Sequence, residues 1–446
     1  MMKVFFYTLG CRVNQYETDA VREMFVERGY DLADSAESSD ICIVNTCTVT
    51  GEADRKSRQQ LRKMARLNPD TVVVAMGCAA EMTDGKLGAD VVVGTKDKNT
   101  VVDRVEAFIR QRQDAALSHV SSHERPEVSR TDIYHDFGSV LSPEGTRAFM
   151  KIEDGCNKFC TYCIIPYARG RVASRDEESI YKEARFLASK GFKEIILSGI
   201  HICSYGKDRG EDISALMRVI RNVDGTAGIE RLRLGSLEPM SLTPAFIEGL
   251  AELKHLCPHF HLSLQSGSDT VLARMGRDYD TSEYLERVRM LRERFPAMSL
   301  TTDIICGFPG ETDDEFEETM DFVERAGFNK IHVFPYSLRE GTAAARMKQT
   351  DPSTGKGRAQ RLIEWSDKAE SAFAGSFVGQ RTRVLLETLH TDADSKVYFN
   401  GYTPEYVRTS VYIPEGCDHA LLKGEIVDVD ILSSDAKTLI GQLACS

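Results

Sequence analysis

Glu153-Asp-Gly-Cys-Asn-Lys-Phe-Cys-Thr-Tyr-Cys-Ile-Ile-Pro-Tyr-Ala-Arg-Gly-Arg171 sets Cys156, Cys160 and Cys163 at C-x3-C-x2-C spacing within eight residues. A run this short and glycine-led is not a buried core element, so the thiols converge on something outside the backbone. A structural zinc normally takes four protein ligands, and no fourth Cys or His stands close by. Three thiolates on a four-iron cubane leave one iron open to an exogenous ligand, which suits a cluster that performs chemistry. The competing reading is a zinc knuckle or an oxidation-prone loop.

Upstream of the loop, Arg147–Glu153 is the first of six strand-like runs, followed by 192–197, 231–234, 259–264, 299–305 and 330–335. Helical patterns at 176–190, 213–223, 243–253, 282–294 and 313–326 separate them. This alternation predicts an open, partial (β/α)6 barrel with its chemistry at the carboxyl ends of the strands. The polar motifs fall there: the cysteine loop, Ser198-Gly-Ile-His201, Gly235-Ser-Leu-Glu-Pro239, Gln265-Ser-Gly-Ser268, Thr302-Asp303 with Gly307-Phe-Pro-Gly-Glu311, and Phe334-Pro-Tyr-Ser337 with Arg339-Glu-Gly-Thr342.

The cysteine loop, with Tyr162 before its last cysteine, closely resembles that of the radical S-adenosylmethionine (SAM) enzymes. The resemblance implies that the open iron chelates SAM and that Cys156, Cys160 and Cys163 are catalytic. Tyr162, Ser198, Ser236, Glu238, Gln265, Asp303, Gly307 and Phe334 are then expected around SAM. Ser236 and Glu238 suit its ribose or amino group, Gln265 its hydroxyls or carboxylate, and Gly307 and Gly310 a close backbone approach to adenine. Arg169, Arg171 and Arg175 either face a polyanionic substrate or cap acidic neighbours.

Residues 1–113 alternate apolar strands (3–9, 40–45, 71–76, 90–94) with helices at 17–28, 52–67 and 101–112, predicting a doubly wound parallel sheet. Cys11, Cys47 and Cys78 each fall one or two residues past a strand's carboxyl end. Those ends share one edge, where such sheets place ligands, so three thiols 36 and 31 residues apart are expected to hold a second cluster. Cys42 lies inside its strand and reads as core, and Cys203 and Cys306 read as small buried hydrophobes. The 52–67 helix carries Arg55, Lys56, Arg58, Arg62, Lys63 and Arg66 against Glu52 and Asp54, a solvated face or a phosphate-contacting one.

Residues 114–146 show no periodicity and read as a linker or excursion. After a connecting helix with the single tryptophan, Trp365, residues 377–446 break into five short strands that predict a small β-barrel. Such barrels often bind nucleic acid. This one carries 6 Lys and Arg against 10 Asp and Glu, while Tyr398, Phe399, Tyr402 and Tyr406 offer stacking faces or core.

The whole chain carries a net charge of −12. That argues against polyanion binding over its entire surface, so any nucleic-acid contact is expected to be local. Twelve cysteines, no expected export signal and no long apolar run predict metal ligands and core thiols in a reducing cytoplasm, without membrane attachment.

With both triads and the terminal barrel placed, the chain resembles the radical SAM methylthiotransferases over essentially its full length. Tyr7-Thr-Leu-Gly-Cys-Arg-Val-Asn-Gln-Tyr-Glu-Thr18 is most like the branch acting on N6-threonylcarbamoyladenosine of tRNA. The resemblance implies domains at 1–113 (auxiliary cluster), 147–376 (radical SAM barrel and helix) and 377–446 (TRAM). It implies two [4Fe-4S] clusters, on Cys11, Cys47 and Cys78 and on Cys156, Cys160 and Cys163, with SAM as the other cofactor. The implied partners are a tRNA anticodon stem-loop and an electron donor of flavodoxin or ferredoxin type. Alternatives are the same chemistry on isopentenyladenosine or a ribosomal-protein aspartate, and a non-catalytic iron–sulfur RNA-binding protein.

Overall fold

In the computed structural model, the described residues are 1–67, 70–83, 87–115, 133–137, 140, 143, 145–414 and 416–444. The amino-terminal unit comprises β1 (Lys3–Thr8), α1 (Arg12–Glu27), β2 (Asp31–Leu32), β3 (Ile41–Thr46), α2 (Gly51–Leu67), β4 (Val72–Gly77), α3 (Cys78–Met82), β5 (Val91–Val93) and α4 (Val101–Ala115). Its strands are parallel in the order β2-β1-β3-β4-β5. β3 and β4 are buried throughout, and apolar except for Asn45 and Thr46 at the end of β3, because helices cover both faces. Val21, Phe25, Ile43, Val74 and Val105 form one core layer and Val44, Leu61, Met64 and Ala75 the other. The strand order reverses between β1 and β3, the switch point where ligands collect in such sheets.

Two elements differ from expectation. α1 begins at Arg12 rather than 17, because its first turns bury a polar face, Asn14, Glu17, Thr18 and Asp19, which an apolar periodicity cannot register. β2 is a two-residue exposed edge strand too short for a pattern.

The central unit runs β6 (Arg147–Lys151), β7 (Glu153–Asp154), α5 (Ile165–Arg169), β8 (Ala173–Ser174), α6 (Glu177–Ser189), β9 (Glu194–Ser198), α7 (Ile213–Asp224), β10 (Arg231–Leu234), α8 (Pro244–Ala251), β11 (His259–His261), α9 (Asp269–Met275), α10 (Thr281–Arg294), β12 (Ser299–Cys306), α11 (Asp313–Ala326), β13 (Lys330–Pro335) and α12 (Pro352–Gly375). Six parallel strands form two three-stranded sheets, β6-β9-β10 and β11-β12-β13, joined by a Leu237–Leu262 bridge into the expected open barrel. Alternation sends Leu232, Leu234, Leu300 and Ile304 to the helix layer and their neighbours Arg231, Arg233, Thr301 and Asp303 to the lumen.

The carboxyl-terminal unit is a closed five-stranded barrel, β14 (Arg381–Thr391), β15 (Val397–Tyr402), β16 (Arg408–Tyr412), β17 (Ile426–Asp435) and β18 (Thr438–Leu443), ordered β14-β15-β16-β18-β17. Its loop at 403–407 plugs the lumen at the amino ends of the barrel strands. Arg231 donates to the carbonyls of Tyr402 and Arg383, both at 2.8 Å, and Arg233 to that of Pro404 at 2.9 Å. Tyr402 and Tyr406 stack on each other under the guanidinium of Arg147, which also pairs with Glu387 at 2.6 Å. These two rings are therefore spent on docking, and Phe399 is core, so none of the three is a free stacking face.

Of the 114–146 segment, Ala115 ends α4, Tyr134 donates to the Lys151 carbonyl at 3.0 Å, and Phe137 and Val140 pack against Tyr16. The described part is thus docked onto both units rather than being a bare linker; the remainder lies outside the described residues.

Candidate active site

The cysteine loop leaves β7 and is held from two sides. Thr161 donates through its amide to the Met275 carbonyl at 2.9 Å and through its hydroxyl to that of Arg274, while its own carbonyl accepts from Ala344. α9 therefore fixes the loop. Just past α9, Arg277 donates to Cys160 Sγ at 3.3 Å and forks onto both carboxylate oxygens of Glu238 at 3.0 Å. His201 Nε2 lies 3.2 Å from the same carboxylate and Lys158 Nζ 3.9 Å from it. Burial alone would raise the Glu238 pKa, but His201, Arg277 and Lys158 outweigh it and hold it at about 2. Glu238 is thus a fixed anion at the cysteine loop, suited to a cationic ligand such as an amino group.

At the switch-point edge, Cys47 lies beside Gly10: a side chain at Gly10, where φ is +104°, would collide with the Cys47 Cβ and Sγ. Cys11, Cys47 and Cys78 sit close enough for charge on one to raise the pKa of another. Burial is the larger influence and pushes Cys47 up to about 11, Cys156 to about 11 and Cys163 to about 12.

Beneath Cys78 runs a buried ion network. Glu17 pairs with Lys98, with Lys151 at 2.7 Å and with Arg169 at 2.9 Å, and Asp154 pairs with Lys151 at 2.5 Å and Arg169 at 3.1 Å. Three cations face two carboxylates, leaving one positive charge in excess, and both Lys98 and Arg169 act electrostatically on Cys78. A thiolate at Cys78 would offset that excess. Arg169 and Arg175 are fully buried and ion-paired, Arg175 with Glu183, so they cap acidic groups. Arg171 lies over the Phe159 ring.

The amino-terminal unit meets the barrel beside the loop that follows β13. Gly51, at the start of α2 just past Cys47, donates to Ser337 Oγ beyond β13 at 2.7 Å. Next to it, Arg339 lies near Cys47 and Asp54, and its buried Nε and Nη2 have no hydrogen-bond partner among the described residues.

Among those residues, one group of three potential ligands has atoms within 4.8 Å of one another, His261–Asp303–His332, so neither cysteine triad closes that tightly. Thiolates on a tetrahedral zinc stand about 3.8 Å apart, given Zn–S bonds of about 2.3 Å. The wider thiolate sets, with an uncompensated positive charge beneath one of them, fit iron–sulfur clusters better than a lone ion.

Of the residues expected around SAM, Glu238 is at the cysteine loop, and Tyr162 packs against the buried cluster of Val271, Met275 and Phe308. Gln265 takes a strained φ of +78° four residues past β11, its backbone hydrogen-bonded to those of Asp303 and Ile305. Ser236 is exposed, and Phe334 is 39% exposed at the lumen edge. Ser198 is buried and donates to the Met150 carbonyl at 3.2 Å. Asp303 meets His261 at 3.4 Å. Gly307 has φ +73°, but the space beside it is filled by Gly355 of α12, so its close approach is to a helix rather than to an adenine. Arg277 carried no pattern of its own, and His201 was marked only as part of the 198–201 run at the end of β9. The residue after the left-handed cap Gly276 was the available hint for Arg277.

Cys42, Cys203 and Cys306 are buried, as expected of core thiols. The cationic face of α2 is exposed and borders a groove of about 580 Å³ lined by Arg55, Arg58, Arg62, Lys63 and Arg66. Arg55 and Arg58 pair with Glu52 and Asp54, whereas Arg62, Lys63 and Arg66 have no ion pair among the described residues. No helix among the described residues is long and apolar enough to cross a membrane.

Residues 150–323 match the Radical SAM superfamily model, and residues 3–94 match that of "Uncharacterized protein family UPF0004". The chain superposes on the radical SAM methyltransferase TsrM of Kitasatospora setae with a TM-score of 0.54 at 17% identity, covering 75% of this chain and 73% of that one. The chain is a radical SAM protein. It is 37% identical over 440 residues to the threonylcarbamoyladenosine tRNA methylthiotransferase MtaB of Bacillus subtilis, covering 97% of this chain and 94% of that protein. Its identity to the MtaB of Aquifex aeolicus is also 37%, covering 86% of this chain and 93% of the relative. The tRNA-2-methylthio-N(6)-dimethylallyladenosine synthase of Acetivibrio thermocellus is 33% identical, with 98% and 90% covered. Within the superfamily, the chain belongs to the methylthiotransferase family that contains the MtaB proteins, and it is a transferase.

Proposed function

We propose that the protein inserts a methylthio group at C2 of N6-threonylcarbamoyladenosine at position 37 of tRNA, in the cytoplasm, using two SAM molecules and two [4Fe-4S] clusters. Cys156, Cys160 and Cys163 hold the SAM-binding cluster, and Cys11, Cys47 and Cys78 the auxiliary one. When bound, the first would supply the electron that generates a 5′-deoxyadenosyl radical from SAM, and the second would supply sulfur for the methylthio group. An aromatic C–H is neither acidic nor readily displaced, so side-chain acids and bases alone are inadequate.

The chain's own residues bind and orient. Glu238, held ionised by Arg277, His201 and Lys158, receives the SAM amino group. Gln265 and Ser236 lie on the same rim and reach toward its other polar groups. Arg277 donates to the Cys160 sulfur and ties the cluster loop to the Glu238 anion. The anticodon stem-loop offers a splayed base to a mouth shared by the two triads. Its phosphates meet Arg339, whose unpartnered nitrogens sit at that mouth, and the Arg62–Lys63–Arg66 face of α2. A flavodoxin- or ferredoxin-type protein supplies the electron.

What supports this reading is the end-to-end alignment with MtaB, in a fold whose amino-terminal unit contacts the barrel beside β13 through Gly51 and Ser337. The test is mass spectrometry of total tRNA nucleosides from a deletion strain. Loss of 2-methylthio-N6-threonylcarbamoyladenosine, restored by the gene, is expected. Unchanged levels, or loss of the isopentenyl counterpart instead, overturns the assignment.

A further inference from the structure

Midway along the lumen, His261 on β11, Asp303 on β12 and His332 on β13 bring one ligand atom each within 4.8 Å of one another. Their strands are adjacent and parallel, with Asp303 directly opposite His332 in register. The environment is graded: His261 is largely buried, Asp303 half-buried, and His332 opens to the lumen. Thr301 Oγ1 lies 3.0 Å from His261 Nδ1 and 3.4 Å from His259 Nε2, fixing the ring so that Nε2 faces Asp303. No core packing explains an imidazole–carboxylate–imidazole row on an open lumen wall, and neither the SAM-facing residues nor the cluster ligands account for it.

Its position relative to the cysteine loop defines what it meets. Two residues further along each strand, about 7 Å at 3.3 Å per residue, Asp303 gives way to Ile305 and His332 to Phe334. Ile305 and Tyr162 of the cysteine loop pack against the same buried cluster, Val271, Met275 and Phe308. A base whose C2–H is aimed at that loop rests against this apolar pair. Its N6 substituent, across N1 from C2, projects away from the loop toward the polar row.

We infer that His261, Asp303 and His332 form the subsite that reads the N6 substituent of the substrate base, selecting a polar, carboxylate- and hydroxyl-bearing group. This rests on the substrate reading above. Asp303 accepts from a substituent N–H or O–H, and the lumen-facing imidazole of His332 donates to a carboxylate or carbonyl oxygen. An apolar dimethylallyl group, the substituent in the names of the 33%-identical relatives, leaves both unpaired and desolvated. Sites built to hydrogen-bond a substituent reject analogues lacking it strongly.

The test compares synthetic anticodon stem-loops carrying N6-threonylcarbamoyladenosine or isopentenyladenosine, under anaerobic turnover by wild type, His332→Leu and His332→Gln. His332→Leu is expected to raise KM for the threonylcarbamoyl RNA about tenfold or more, the worth of one hydrogen bond, with a smaller change in kcat. His332→Gln, which keeps a donor, is expected to recover most of that loss, a rescue that a merely structural role would not produce. His332 is exposed, and Gln is polar, so the pair remains informative if Leu impairs folding. A KM for His332→Leu within twofold of wild type, or equal defects in Leu and Gln, overturns the subsite while leaving the substrate intact. Turnover of the isopentenyl RNA alone by wild type overturns both.

Discussion

Replacing Glu17 by Gln removes the hub of the ion network beneath the amino-terminal cysteines. The carboxylate is fully buried, and Lys98, Lys151 and Arg169 all lean on it. Burial alone would raise its pKa, but the three cations hold it well below the ordinary carboxylate range. With Gln, three buried cations face Asp154 alone, and the excess positive charge doubles from one to two. Removing one partner of a buried pair typically costs about 3–5 kcal/mol, because an uncompensated charge stays behind. Each kcal/mol moves Tm by about 2–4 °C in a unit of 150–250 residues, so a fall of about 6–20 °C is expected. The assay is thermal unfolding of the anaerobically purified, cluster-loaded protein. A second substitution, Lys98→Met, returns the network to its original excess and should recover part of the loss. A Tm within 2 °C of wild type for Glu17→Gln, or a double variant less stable than the single one, would refute the charge-balance argument.

Arg277→Met removes a hydrogen bond to Cys160 and the fork on Glu238, and outer partners of a metal ligand typically carry 10–100-fold in affinity or activity. SAM cleavage should fall about that far, with a measurable loss of bound iron. Changing Arg62, Lys63 and Arg66 to Ala should weaken stem-loop binding. The slope of log affinity against log salt should drop by about 2–3, at roughly 0.7–0.9 per phosphate contact, in a fluorescence-anisotropy titration. Tyr406→Ala unseats the loop that plugs the barrel, and limited proteolysis should then cleave between α12 and β14 faster than in wild type.

The parts of the molecule legible in the sequence are those governed by local periodicity or by chain-end position. β10, α11 and β13 fall on the ranges their patterns predicted, because each has one apolar face and a sharp turn at its end. That Cys11, Cys47 and Cys78 lie near one another was legible because a doubly wound sheet sends every strand's carboxyl end to one edge. Glu17 and Arg277 were not. Glu17 meets Arg169 across 152 residues and Arg277 meets Cys160 across 117, and no local rule couples positions so far apart. The same applies to Tyr402 and Tyr406: composition marks them as aromatic, and only the docking of the terminal barrel decides that they face Arg147 and Arg233. α9, seven residues long and without a side-chain cap, is too short for a helical period to declare itself.

The central claim is that two cysteine triads divide the work at one mouth. It is tested most directly by measuring 5′-deoxyadenosine and methylthiolated nucleoside together, in Cys160→Ala and Cys47→Ala proteins reconstituted with iron and sulfide. Cys160→Ala should lose both products. Cys47→Ala should retain SAM cleavage and lose methylthiolation. Equal loss of both products in the two variants would contradict the division.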